Sequence, residues 1–164
     1  MSLSTAARLP DATRPTVVLV HGAFADSSSW NGVIEHLADD GYSVIAAANP
    51  LRGLHSDAEY LRSTLAGVHG PIVLAGHSYG GTVMSEAADG NPQVKALVYV
   101  ASFLHEEGES TGELAGKFPG NELGPALSPV PVRGPDGGTV DDRYIQQDKF
   151  RRSSPRTCRR RPQR

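Results

Sequence analysis

Four stretches of the chain are apolar nearly throughout, and segments of a different period separate them. Thr16 to Val20, Tyr42 to Ala47, Ile72 to Ala75 and Val94 to Ala101 are aliphatic and β-branched runs, with the length and uniformity of parallel strands buried on both faces. Between them apolar positions recur at helical spacing. In residues 25–41, Trp30, Val33, Ile34 and Leu37 share a face, Asp26 or one of Ser27 to Ser29 can cap the start, and Gly41 closes the end. A second helix starts near Ser56 or Asp57, carries Leu61, Leu65 and Val68 on one face and stops at Gly70-Pro71. A third follows residue 78 and runs to about Asp89-Gly90-Asn91-Pro92. Strands alternating with helices imply βαβ units, whose right-handed crossovers place helices on both faces of the sheet. The pattern therefore predicts an α/β fold, a doubly wound parallel sheet with four recognisable strands, and a site at the carboxyl ends of those strands.

After Phe103 the pattern lapses. Residues 104–140 are rich in Gly, Pro, Ser and Glu with little periodicity, so no strand is expected there, and Asp141 to Phe150 resumes a helical pattern with Tyr144, Ile145 and Phe150. The expected organisation is a loose leader at 1–14, a core at 15–103, an irregular region at 104–150 and a tail at 151–164.

Charge alters the picture at one end only. The net charge is −2, but all 18 acids precede residue 151, while residues 151–164 hold 7 of the 16 basic residues, all arginine. That tail has no aliphatic or aromatic residue and cannot be a core element. A nucleic-acid arm is one use for clustered arginines, but no aromatic interleaving or recognition fold accompanies them, so no nucleic-acid partner is expected. The preferred explanation is a shifted reading frame, because Arg, Ser, Pro, Thr and Cys abound when GC-rich coding sequence is read out of phase. Sequencing the locus tests it. The single cysteine, Cys158, cannot form an internal disulfide, and no run approaches the about 18 apolar residues of a membrane span. The expectation is a cytoplasmic protein with no membrane contact. Neither metal-ligand spacing nor a phosphate-binding Gly-x-x-x-x-Gly-Lys loop occurs, so no cofactor and no metal are expected.

The chemistry sits in Gly76-His77-Ser78-Tyr79-Gly80-Gly81, between the third apolar run and the third helix. Gly-x-Ser-x-Gly in that context places a serine on a very sharp turn, with glycines removing the Cβ atoms that would collide where strand and helix converge. Ser78 is the expected nucleophile, and the Tyr79 amide, at the helix start, an expected oxyanion donor. Upstream the first run enters His21-Gly22-Ala23-Phe24, a loop of the kind that supplies the other oxyanion amide, here that of Ala23. His21 braces the loop around Gly22, and His77 precedes the nucleophile and points away from it.

These two motifs, with the Trp30 region, Asn49-Pro50-Leu51 and Ala96 to Phe103, resemble the α/β-hydrolase superfamily. Within it the chain is similar to the small, cofactor-free esterases that group with plant methylesterases and hydroxynitrile lyases. The resemblance covers residues 15 to about 150, the first half of such an enzyme and the start of its lid, so a C-terminally truncated sheet is expected. It implies hydrolysis of a carboxylic ester through an acyl-enzyme, with a small-molecule ester or acyl compound as ligand, and makes 104–150 a partial lid.

Acyl transfer needs an acid and a histidine after the nucleophile in chain order. Past Ser78 the only histidine is His105, beside Glu106 and Glu107, and it is a weak candidate base. The triad's acid and base are otherwise missing from this chain. Two alternatives stand beside the esterase reading, a non-catalytic protein binding an acyl ligand and a lyase of the hydroxynitrile type. A strongly apolar strand left at an open edge also predicts self-association.

Overall fold

The computed structural model describes residues 14–117, 119–134 and 136–150. The leader expected at 1–14, apart from Arg14, and the basic tail at 151–164 lie outside the described residues. The chain divides into two compact units, one ending at Leu114 and one beginning at Ala115.

In the first unit the strands are β1 (Thr16–Val20), β2 (Val44–Ala47), β3 (Ile72–His77) and β4 (Val94–Val100). All neighbours pair in parallel, in the order β2-β1-β3-β4. The helices are α1 (Asn31–Asp39), entered through a 3₁₀ turn at Ser27–Trp30, α2 (Leu54–Ala66) and α3 (Tyr79–Ala88). Asp26 starts the first of these, its side chain accepting from the Ser28 amide at 2.7 Å.

Side chains in a strand alternate between faces, and β1 shows what that does in a central strand. Val17 and Leu19 join Trp30 and Ala75, with Ile34 and Leu37 of α1 packed against them. Val18 and Val20 face the other way, into a larger cluster with Leu61 and Leu65 of α2 and Val83, Met84 and Ala87 of α3. A strand buried on both sides has no polar face, which is why β1 reads as an unbroken apolar run. The sheet is thus doubly wound, with α1 on one face and α2 and α3 on the other. Its outer strand β4 is different, for Leu97, Val98 and Val100 are exposed.

The region after Phe103 departs from expectation in two places. It contains a short helix α4 (Thr111–Gly116) and, in the second unit, an antiparallel hairpin of β5 (Leu127–Arg133) and β6 (Thr139–Ile145). A strand thus lies inside 104–140, and the first half of 141–150 is strand rather than helix. Pro129 and Pro131 argued against a strand because proline cannot donate to a ladder. Here Gly134 N donates to Gly138 O and Gln146 N to Ala126 O, so even-numbered residues carry the inter-strand bonds and both proline nitrogens face away from β6. Gly137, at φ 83°, lies in the connecting turn, a conformation that suits glycine. No helix among the described residues is long and apolar enough to cross a membrane.

Candidate active site

Register brings the two motifs together. Val20 at the end of β1 pairs with Gly76 of β3, so the loop after β1 and the turn after β3 emerge side by side. How close they come is shown by the glycines. A Cβ on Gly22 would lie 2.8 Å from the His77 carbonyl oxygen and 2.9 Å from Ser78 Cβ, and one on Gly76 would lie 2.7 Å from the backbone of Gly80 and Gly81. A Cβ on Gly80 would strike the Val20 carbonyl oxygen, and one on Gly81 the Ser102 side chain. Such approaches admit only glycine.

Ser78 adopts φ 51° and ψ −125° and is the N-cap of α3, so strand passes to helix within one residue. A non-glycine residue held there costs about 1–3 kcal/mol and persists only where its surroundings over-determine it. Those surroundings are visible. Ser78 N donates to Val100 O at 3.2 Å, its carbonyl accepts from Gly81 N at 2.9 Å, and Ser102 Oγ donates to the same carbonyl at 2.6 Å. Tyr79 opens α3 immediately afterwards, where the first amides of a helix have no partner within the helix.

Among the described residues, the non-glycine residues with positive φ are Phe24, Leu51, Ser78 and Ala101. Each follows the carboxyl end of one strand of the parallel sheet, by one to four residues. Strain is thus concentrated along the rim where ligands of open α/β sheets bind. Phe24, with φ 60° and more than a third exposed, gives a direct check. Well over half of its side chain is still buried, so the strain is read by comparing Phe24→Ala with Phe24→Gly, which lose the same ring while only glycine relieves about 1 kcal/mol of left-handed strain. The melting temperature of Phe24→Gly is expected to equal or exceed that of Phe24→Ala.

His21 is buried and its ring is committed. Nδ1 lies 2.9 Å from Gly22 O, and Nε2 accepts from the Asn49 amide at 3.1 Å, while Asn49 Nδ2 donates to His21 O at 3.0 Å. A neutral ring protonated on Nδ1 satisfies both contacts. His21 therefore ties the loop after β1 to the loop after β2. In the sequence Asn49 stood out only as part of Asn49-Pro50-Leu51 in the family resemblance, with no role of its own.

The His77 ring lies beside the Gly22 loop, its Nδ1 being 3.1 Å from where a Gly22 Cβ would stand. Burial pushes its pKa below the ordinary histidine value. The unfolded chain then takes up a proton more readily than the folded one, so the stability this group contributes is present above the unfolded pKa of about 6.5 and is lost as pH falls through the folded one. Denaturant melts between pH 7.5 and 5 are expected to show stability falling below about 6.5, with a shallower fall in His77→Gln.

His105 stands apart from the serine in its contacts. Its Nδ1 is 3.4 Å from Thr82 Oγ1, its Nε2 is 3.1 Å from Thr111 Oγ1, and Phe103 meets the ring edge-on at a centroid distance of 6.2 Å. The Tyr79 phenol donates to Asp57 Oδ2 at 2.8 Å. Burial first, and then this bond to the carboxylate, raise the phenol above its usual titration range. Asp57 went unnoticed as a site residue because an acid in the first turn of a helix is ordinary.

A serine strained onto a strand-to-helix turn, with a His-Gly loop against its Cβ on a doubly wound parallel sheet, defines the α/β-hydrolase class of protein. The model of the alpha/beta hydrolase family matches residues 17–163, and the chain belongs to that family. A carbendazim hydrolyzing esterase of Nocardioides sp. is 30% identical over 106 residues, 57% of this chain and 44% of that protein. A probable hydrolase R7 of Phoma sp. is 27% identical over 119 residues, 63% of this chain and 49% of that protein. The chain thus spans about half the length of these curated relatives. Among solved structures, polyneuridine aldehyde esterase superposes with a TM-score of 0.70 at 19% identity, covering 84% of this chain and 60% of that one. The pyrethroid hydrolase PytH superposes at 0.64 with 21% identity, covering 84% and 59%. These two likenesses bear on the fold, and relative to them the sheet is incomplete.

Proposed function

We infer that the chain carries the nucleophile and oxyanion half of a serine ester hydrolase. The observation behind this reading is the Ser78 backbone, bent out of helix and strand alike with Gly22 against its Cβ. Ser78 Oγ attacks the ester carbonyl carbon, and the carbonyl oxygen becomes an oxyanion facing the Ala23 and Tyr79 amides. Collapse expels the alcohol and leaves an acyl-serine for water to cleave. Phe24, following Ala23, belongs to the loop that presents one amide, and Gly76, Gly80 and Gly81 let strand and helix close around the serine.

The hydroxyl proton has to pass to a base and on to the leaving alcohol. His105 serves only by leaving both threonines, and this reading gives the chain no other acid or base. His105→Ala is expected to leave covalent labelling of Ser78 unchanged, and a loss of labelling would make it the base. The esterase among the relatives supports a small carboxylic ester as the ligand class, tested by covalent capture of an activated ester or phosphonate on intact protein.

The open edge of β4 belongs to the same reading. A parallel strand with exposed Leu97, Val98 and Val100 and one unpaired edge favours association between copies. Sedimentation is expected to show species heavier than one chain, reduced in Val98→Lys; a monodisperse monomer at high concentration would remove this part. Cytoplasmic residence, supported by the lone Cys158, is checked by fractionation, since one solved α/β-hydrolase of similar fold is described as extracellular.

A further inference from the structure

The most deeply buried acid among the described residues has no part in the chemistry above. Asp57 is 1% exposed. Its Oδ1 accepts from the Arg52 amide at 3.0 Å, and its Oδ2 accepts from the Tyr79 phenol at 2.8 Å with the Gly53 amide 3.5 Å away. The two amide contacts are what an acid in the first turn of a helix commonly makes, reaching back over the start of α2. The phenol is not explained that way, since it comes from a different element, 22 residues on.

What Asp57 grips on either side is strained. Leu51 has φ 59° and Gly53 has φ 151°, and the pair encloses Arg52, the residue whose amide is bound. Tyr79 follows Ser78, at φ 51°, and supplies the proposed oxyanion amide from the same residue whose phenol is held. Conformations of this kind survive only under external constraint, and a buried acceptor with converging donors is a stiff one, because releasing any donor leaves it unsatisfied.

We propose that Asp57 is a positioning residue, whose carboxylate clamps the Leu51–Gly53 loop to the phenol of Tyr79 and so fixes the Tyr79 amide beside the reactive serine. The loop after β2 and the turn after β3 then move as one body, although β1 lies between their strands. The proposal rests on the assignment of Ser78 and Tyr79 above. It adds that the oxyanion site is set from the side chain of Tyr79 as well as from the helix that Tyr79 begins.

Asp57→Asn and Tyr79→Phe on the full chain test it with two readouts. The first is amide hydrogen exchange. In Asp57→Asn the amides of Arg52 and of Gly81, which donates across the Tyr79 turn to Ser78 O at 2.9 Å, are expected to exchange at least about tenfold faster, while Val18 and Leu74 in the central strands stay protected. The second is phosphonylation of Ser78 by a fluorophosphonate, expected to slow about tenfold in each single variant and no further in the double variant, because both changes remove one shared interaction. A carboxylate with a purely structural role would speed exchange at all these amides together and leave the labelling rate of folded protein unchanged; that result overturns the proposal, as does a double variant that shows the product of the single losses. If the parent takes up no phosphonate, the nucleophile assignment fails instead, and unchanged exchange at Gly81 in Asp57→Asn would still overturn the clamp.

Discussion

Ser78→Ala abolishes covalent capture altogether. Incubated with excess p-nitrophenyl acetate or a fluorophosphonate, the parent is expected to gain one acyl or phosphonyl group on the peptide that contains residue 78, and the alanine variant none. In a complete triad, loss of the serine costs on the order of 10⁶ in turnover, while the oxyanion site and binding alone still give about 10³–10⁴ over water. Steady-state hydrolysis is therefore the weaker readout here, since the residual rate passes through the same two amides in both proteins. Adduct stoichiometry by mass spectrometry is the stronger one, because a methyl group cannot form the bond. The Ser78 backbone strain also predicts that the variant melts no lower than the parent, as alanine adds no clash at that turn. Equal labelling of both proteins, or of neither, would remove the nucleophile from its assigned position.

Gly80→Ala prevents the fold from closing. Its Cβ would strike the carbonyl oxygen of Val20 and stand 2.7 Å from that of His21. Both obstacles are backbone at the end of the central strand β1, so no rotamer change relieves them. Accommodation means moving α3 away from β1, which opens the cluster around Val83 and Met84. Overpacking a tight contact of this sort costs about 1–3 kcal/mol where side chains can yield and more where they cannot. With a total stability of about 5–15 kcal/mol for an ordinary domain, the expected result is a chain found mainly in the insoluble fraction, or one whose urea midpoint drops by more than half. Gly116→Ala is the control, for no atom lies within 4 Å of a Cβ there.

The first hundred residues were legible because burial on two faces leaves a strong mark. β1 matches its apolar run, Thr16–Val20, residue for residue, and β4 ends one residue short of its expected end. Helix starts were less well marked: α2 begins at Leu54, before the expected Ser56 or Asp57, since its first three residues, Leu54 to Ser56, are exposed and carry little apolar pattern. The hairpin was missed for a related reason. Most residues of β5 and β6 are exposed or half-buried, so no apolar face announces them, and prolines acceptable on an outer edge look like breakers from sequence alone.

By itself the sequence determined the alternation of strands and helices, the turn that must carry Ser78 and the small loop at Gly22. Those depend on local sterics and on which residues can be withdrawn from water, and both are written in residue type and spacing. Only the tertiary structure decided that Gly22 meets Ser78 across two strands, that His105 spends its ring on Thr82 and Thr111, and that Asp57 reaches Tyr79. Contacts between residues far apart in sequence follow from strand order and register, which the packing of the whole sheet fixes and no single segment contains.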